Sequence, residues 1–232
     1  MLMLSYYGSY IILIPVIILT IWAQININST YKKYASVPTS KGISGAEAAR
    51  IMMNANGLGG IPINILNGNA LDNYFDPRSN TVNLSKQVYY DTSVASVCIA
   101  CHEVGHAIQY AVGYKPIKIR NAIVPLVNLT NTLAWPLIIL GIIFTSPNGT
   151  SFLFNLGVLC LVVVVVFHLV TLPVEFNASN RALDELVSLN LVNRADYDGS
   201  RKVLRAAAMT YVAALATAVM SLLRAFLIRG RN

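Results

Sequence analysis

Cys101-His102-Glu103-Val104-Gly105-His106 contains the pattern H-E-x-x-H. Two histidines four residues apart stand about one helical turn from each other, so on a helix both imidazoles project from one face and can reach one metal ion. The glutamate beside them lies next to the open coordination position, where it can serve as a base. Neutral imidazole binds Zn2+ at about 2.0–2.1 Å, and a catalytic site uses three protein ligands so that water can take the fourth position. The metal lowers the pKa of that water to about 7, and Glu103 could take its proton and pass it to a departing amine. This spacing predicts a zinc hydrolase with His102 and His106 as ligands and Glu103 as general base. The bland alternative is a helix whose histidines merely pack, but two of the three histidines in the chain fall in this motif.

A third ligand is needed. Glu175, in Leu172-Pro173-Val174-Glu175-Phe176-Asn177-Ala178-Ser179, follows an apolar run of membrane length and opens a polar stretch. It could fold back onto the first helix and complete a two-His, one-Glu site, although an acid at a helix start also has a purely electrostatic explanation. His168 is the rival, deeper in the apolar run. One zinc per chain is expected.

The combination of Ala100-Cys101-His102-Glu103-Val104-Gly105-His106-Ala107-Ile108-Gln109 with Leu172 to Ser179 closely resembles the YugP-type neutral zinc metallopeptidases of prokaryotic membranes. It is more distantly similar to the HtpX and CAAX prenyl protease group of gluzincins. The resemblance extends over nearly the whole chain, including Tyr74-Phe75-Asp76-Pro77-Arg78-Ser79-Asn80-Thr81-Val82-Asn83-Leu84-Ser85. It implies Glu103 as catalytic glutamate and His102, His106 and Glu175 as ligands. Where the HtpX-like pattern has Glu-x-x-x-Asp, this chain has Ser179 at the aspartate position. Ser179 is thus a candidate to orient a ligand histidine through its hydroxyl, with Asp184 as the alternative.

These residues need elements to hold them. Ser93 to Val112 has no proline and reads as one helix. Gly105 would let a neighbouring element approach that helix. Of the 232 residues 55% are hydrophobic and 12% charged, the profile of a mostly α integral membrane protein with a modest polar part. Crossing about 30 Å of hydrocarbon takes roughly 20 helical residues. Tyr10 to Ala23 with its flank, Ala122 to Thr145 and Phe152 to Val174 qualify, and Ala206 to Leu223 is a weaker fourth, either a span or an interfacial helix. The expected fold has three or four transmembrane helices with a small α+β metallopeptidase unit around the H-E-x-x-H helix. The expected division is an N-terminal span in 1–30, a zinc-binding region in 31–121, a transmembrane hairpin in 122–174, a segment with the third ligand in 175–205 and a C-terminal helix in 206–232. The first span lacks a basic leader and a small-residue cleavage site, so a removed signal peptide is not expected.

Lys32, Lys33 and Lys41 follow the first span and Lys115, Lys118 and Arg120 precede the second, while Ser146 to Ser151 carries no charge. The positive-inside rule then places the metal site on the cytoplasmic side of a prokaryotic cell membrane. The hairpin leaves and returns, so Glu175 lies on the same side as His102 and His106. The net charge of +7 reads as basic residues facing the membrane, since no nucleic-acid motif accompanies it.

Within 31–121, Gly45 to Gly57 reads as a helix ended by Gly57. Ile61 to Leu66 and Thr81 to Leu84 read as short strands joined through the turn-prone Asp76 to Asn80. An exposed strand edge there could pair with an extended peptide, and a structural hairpin is the equal alternative. Two other functions compete. Cys98-Ile99-Ala100-Cys101-His102 also spells C-x-x-C-H, the attachment pattern of c-type haem, which would sit outside the cytoplasm. A zinc-stabilised membrane scaffold without catalysis is the other, and Glu103 argues against it. In a reducing compartment Cys98, Cys101 and Cys160 are expected as buried packing. The partners expected are a peptide or protein substrate and the bilayer. Arg181 and Tyr197 are candidate oxyanion stabilisers, with a surface role for each as the alternative.

Overall fold

The structure is a computed structural model that describes residues 11–144 and 151–229. Tyr10, Thr145 and Ser146 to Thr150, which enter the sequence reading of spans and charges, lie outside the described residues. The chain is mostly helical. A 3-10 turn at Ile11–Leu13 leads into α1 (Ile14–Ala35). There follow α2 (Gly45–Ala55), β1 (Ile63–Leu66), β2 (Tyr74–Asp76), β3 (Thr81–Ser85) and α3 (Lys86–Tyr90). The remainder is α4 (Val94–Ala111), α5 (Lys115–Ile143), α6 (Phe152–Ser188) and α7 (Arg194–Arg229). Four of these helices, α1, α5, α6 and α7, are long and apolar enough to cross a membrane, by length and composition. That count includes the segment after Ala206, the weaker candidate in the sequence.

The residues form two compact units. Among the described residues the first comprises 11–24, 119–144, 151–172 and 210–229, the apolar parts of the four long helices. Ala134, Ile138, Phe154, Cys160, Leu161 and Ala225 make its core. Close packing of α5 and α6 depends on two glycines. A Cβ on Gly141 would lie 2.3 Å from the Phe154 amide nitrogen, and one on Gly157 would lie 2.8 Å from the Ala134 carbonyl oxygen. Small residues at such contacts let helices approach where hydrocarbon offers no hydrophobic drive. Ile14, Ile17, Ile18 and Ile21 point outward on α1. Arg224 is buried, with its guanidinium 4.5 Å from the centroid of the Trp135 ring.

The second unit comprises Ile25–Lys118 and Pro173–Met209. Helix α2 starts with a capping box, in which Ser44 Oγ accepts from the Glu47 amide and the Glu47 carboxylate accepts from the Ser44 amide. It ends before Gly57, whose φ of +71° is left-handed. Met52 and Met53 of α2, Val82 and Leu84 of β3 and Val97, Cys98, Cys101 and Val104 of α4 are buried in one core with Leu186 of α6. Helix α4 spans the predicted run, with Ser93 Oγ capping the Ser96 amide and Val112 as C-cap.

Two expectations need correction. The sheet order is β1-β3-β2, with β1 parallel and β2 antiparallel to β3. The turn at Asp76 to Asn80 therefore joins β3 to β2, a three-residue strand that the sequence did not suggest, and not to β1. Asp76 accepts from the Arg78 amide and the Ser79 hydroxyl, and Asn80 takes a φ of 53°. The second correction concerns Glu175. It does not begin a new segment that folds back, because α6 runs unbroken from Phe152 to Ser188 through Pro173. Proline removes one backbone hydrogen bond, and the rest of a 37-residue helix holds across the gap.

Candidate metal centre

Helix α4 presents His102 and His106 one turn apart, with ring centroids 4.7 Å apart and planes at 81°. Helix α6 presents Glu175 to both. The Glu175 Oε2 atom lies 3.4 Å from His102 Nε2 and 3.5 Å from His106 Nε2. Glu175 is 2% exposed, yet Oε2 makes no hydrogen bond. These are ion-pair distances without hydrogen-bond geometry. Three ligand atoms, one from each residue, lie within 4.8 Å of one another, so the group could hold a metal ion.

The spacing fits a particular kind of ion. Ligand atoms about 2.0–2.1 Å from a tetrahedral centre stand about 3.3–3.4 Å from each other, close to the two distances seen. An orphaned buried carboxylate oxygen and the two imidazole nitrogens near it form a donor set suited to zinc.

Each histidine is fixed through its other nitrogen. Ser179 Oγ is 3.2 Å from His102 Nδ1. Gln109 Oε1 is 3.1 Å from His106 Nδ1. When each Nδ1 carries the proton and donates it to these oxygens, each Nε2 keeps its lone pair for the metal. Gln109 is itself fully buried and held at its amide nitrogen, which donates to the Val174 carbonyl at 2.8 Å and to Asn177 Oδ1 at 3.0 Å. Asn177 Oδ1 also accepts from Arg181 Nε at 2.8 Å. A chain of polar contacts thus ties α4 to α6 alongside the three ligand residues.

Glu103 is 7% exposed, and its Oε2 accepts from the Phe75 backbone amide of β2 at 3.1 Å. Burial acts against the His106 imidazolium, but the adjacent Glu175 carboxylate, the Glu103 charge and Gln109 outweigh it and raise the pKa of His106. Close contact of the two helices is set by Gly105. A Cβ there would lie 2.6 Å from the Ala178 carbonyl oxygen of α6.

Other sequence candidates lie elsewhere. Asp184 is exposed on α6 and makes no hydrogen bond to either histidine, so Ser179 alone of the pair reaches a ring. His168 belongs to the first unit, apart from this group. Arg181 bonds Asn177, and Tyr197 packs half-buried against the core. Cys98 and Cys101 are fully buried thiols, and burial, with Glu185, pushes Cys101 up to about 12.

Gln109, Asn177 and the Phe75 amide are absent from the sequence reading of the site. A polar residue three positions after His106, on the same helix face, was the signal for Gln109. Nothing in the sequence marks a backbone amide.

The chain is 40% identical over 216 residues to "Putative membrane protease YugP" of Bacillus subtilis (strain 168), covering 92% of this chain and 94% of that one. No solved structure matches it. The model of the family described as "Putative neutral zinc metallopeptidase" matches residues 9–230, and the chain belongs to that family.

Proposed function

We propose that the protein is a membrane-bound zinc metalloendopeptidase that hydrolyses peptide bonds with Glu103 as general base. The observation that carries this reading is the buried convergence of His102 Nε2, His106 Nε2 and Glu175 Oε2, with the H-E-x-x-H carboxylate next to His102 in sequence. Family membership and the relative named as a membrane protease support it, as do the four apolar helices.

His102, His106 and Glu175 would hold one zinc per chain, and Ser179 and Gln109 would fix the two rings. Zinc, when bound, supplies Lewis acidity to the scissile carbonyl and to the attacking water. The Phe75 amide holds Oε2 of Glu103, which leaves Oε1 to take the proton as the water oxygen bonds to the carbonyl carbon. Glu103 then delivers that proton to the amide nitrogen as the carbon–nitrogen bond breaks. The substrate is a peptide or protein, and it would lie extended along β2, an edge strand whose Phe75 amide already faces Glu103. The basic residues around α1 and α5 support a site on the cytoplasmic side of a prokaryotic membrane. On this reading residues 31–121 and 175–205 carry the site, and the apolar stretches between and around them carry the membrane spans.

The two competing readings find less support. A scaffold site would be closed by a fourth protein ligand, whereas among the described residues the cluster has three. A haem attached at Cys98 and Cys101 would need both thiols beside a macrocycle, and both are packed in the core.

The test is elemental analysis and peptide cleavage on the detergent-purified natural protein, Glu103→Gln and His106→Ala. Expected are about one zinc per chain in the natural protein and in Glu103→Gln, and zinc loss in His106→Ala. Cleavage should fall by at least about 10²–10⁴-fold in Glu103→Gln. Unchanged cleavage in Glu103→Gln would sink the mechanism, and iron in place of zinc would turn the reading toward haem.

A further inference from the structure

Away from the metal cluster, the second unit has a pocket of about 330 Å³ between the polar end of α1 and the first turns of α7. Lys33, Lys202 and Arg205 line it, and no carboxylate does. None of these three cations forms an ion pair with a carboxylate among the described residues. Asp198 stands one turn before Lys202 without pairing to it.

Two helix faces make the pocket. Lys202, Arg205 and Met209 recur at three- and four-residue steps along α7, as Asn26, Thr30 and Lys33 do along α1. The two faces are brought together where Gly199 packs on Tyr34, because a Cβ on Gly199 would lie 2.8 Å from the Tyr34 ring. The cations are exposed and keep their reach, while Asn26, Thr30 and Tyr34 offer uncharged donors beside them. Ala206 and Met209 add an apolar wall, and from Ala206 the helix continues without a charge as far as Leu223. On α1 the uncharged Ile14 to Ala23 precedes the same pocket. The cations therefore sit where two long apolar stretches end, the level of a lipid head group.

We propose that this pocket binds the phosphodiester head group of an anionic phospholipid, with Lys33, Lys202 and Arg205 around the phosphate and Met209 against the start of the acyl chains. The apolar wall and the adjoining apolar helices select a lipid over free phosphate. The site rests on the membrane-spanning part of the proposed function and not on the metal cluster.

The test titrates the full chain in uncharged detergent with short-chain phosphatidylglycerol, short-chain phosphatidylcholine and inorganic phosphate, reading binding by native mass spectrometry and by thermal midpoint. Phosphatidylglycerol should bind with preference, and K202Q/R205Q should weaken it by about tenfold or more. Lys33→Gln should weaken it by about fivefold, which serves if the double variant folds poorly. K115Q/K118Q, with the same loss of charge on α5, should leave it unchanged. Equal loss in that control, equal binding of phosphatidylcholine, or inorganic phosphate binding as tightly as phosphatidylglycerol would each overturn the site. Release of the chain from cell membranes by a carbonate wash would instead overturn the membrane reading beneath it.

Discussion

The metal cluster between α4 and α6 and the basic pocket between α1 and α7 both gather polar groups, but they hold them differently. In the cluster each histidine is gripped at its second nitrogen, Glu175 is buried, and the helix spacing is set by a glycine against a carbonyl. In the pocket three long, exposed cations reach from helix surfaces and none is tied to an acid. The first arrangement holds its side chains through several buried contacts, as a metal ligand set would need. The second supplies a field that tolerates a flexible ligand.

That contrast can be broken most forcefully at Gln109. Gln109→Leu removes the acceptor for His106 Nδ1, and zinc affinity should fall by about 10–100-fold in a chelator competition. Gln109→Glu keeps an acceptor at that position and should retain most of it. If both variants bind zinc like the natural protein, the polar chain to Asn177 does not position the ring.

Gly105→Ala tests the spacing. The added methyl meets the Ala178 carbonyl, and the helices must move apart at a cost of roughly 1–3 kcal/mol in unfolding free energy. Gly60→Ala, with open space around its Cβ, should leave unfolding unchanged.

Acidity sharpens the same comparison. Zinc needs neutral imidazoles, and the pKa of His106 in the metal-free protein is raised by Glu175, Glu103 and Gln109 against the effect of burial. Zinc affinity should therefore begin to fall above the ordinary histidine value of about 6.5 as pH is lowered. Glu103→Gln should move that fall to lower pH. For the metal-free protein the sign reverses: the stability from the His106 proton is present below about 6.5 and lost as pH rises through the raised value. A pH titration of zinc affinity and of unfolding reads both.

The smallest effect belongs to the pocket. Lys33→Arg keeps the charge on an exposed side chain and should change unfolding by less than about 0.5 kcal/mol.

The sequence made some of this legible and hid the rest for physical reasons. The H-E-x-x-H helix followed from a one-turn spacing and from a run without proline between Ser93 and Val112, both local properties. Glu175 was a candidate because a hairpin of membrane length returns the chain to the starting side. Its position on an unbroken α6 was hidden, because Pro173 reads locally as a break and only packing shows that the helix continues. The parallel pairing of β1 with β3 was equally hidden, since nothing in Ile63 to Leu66 states which neighbour it takes. Gln109 is a polar residue on an apolar face, and its meaning depends on the register between α4 and α6, which no single helix encodes.

Strand β2 has an effect on any mutational survey of this protein. Glu103 is held by the amide of Phe75, a group that every residue except proline possesses. Substituting the Phe75 ring will report on packing and nothing else, so a side-chain scan will pass over the position. Only an amide-to-ester replacement, or proline at some cost in strand geometry, would expose how far the carboxylate depends on that hydrogen.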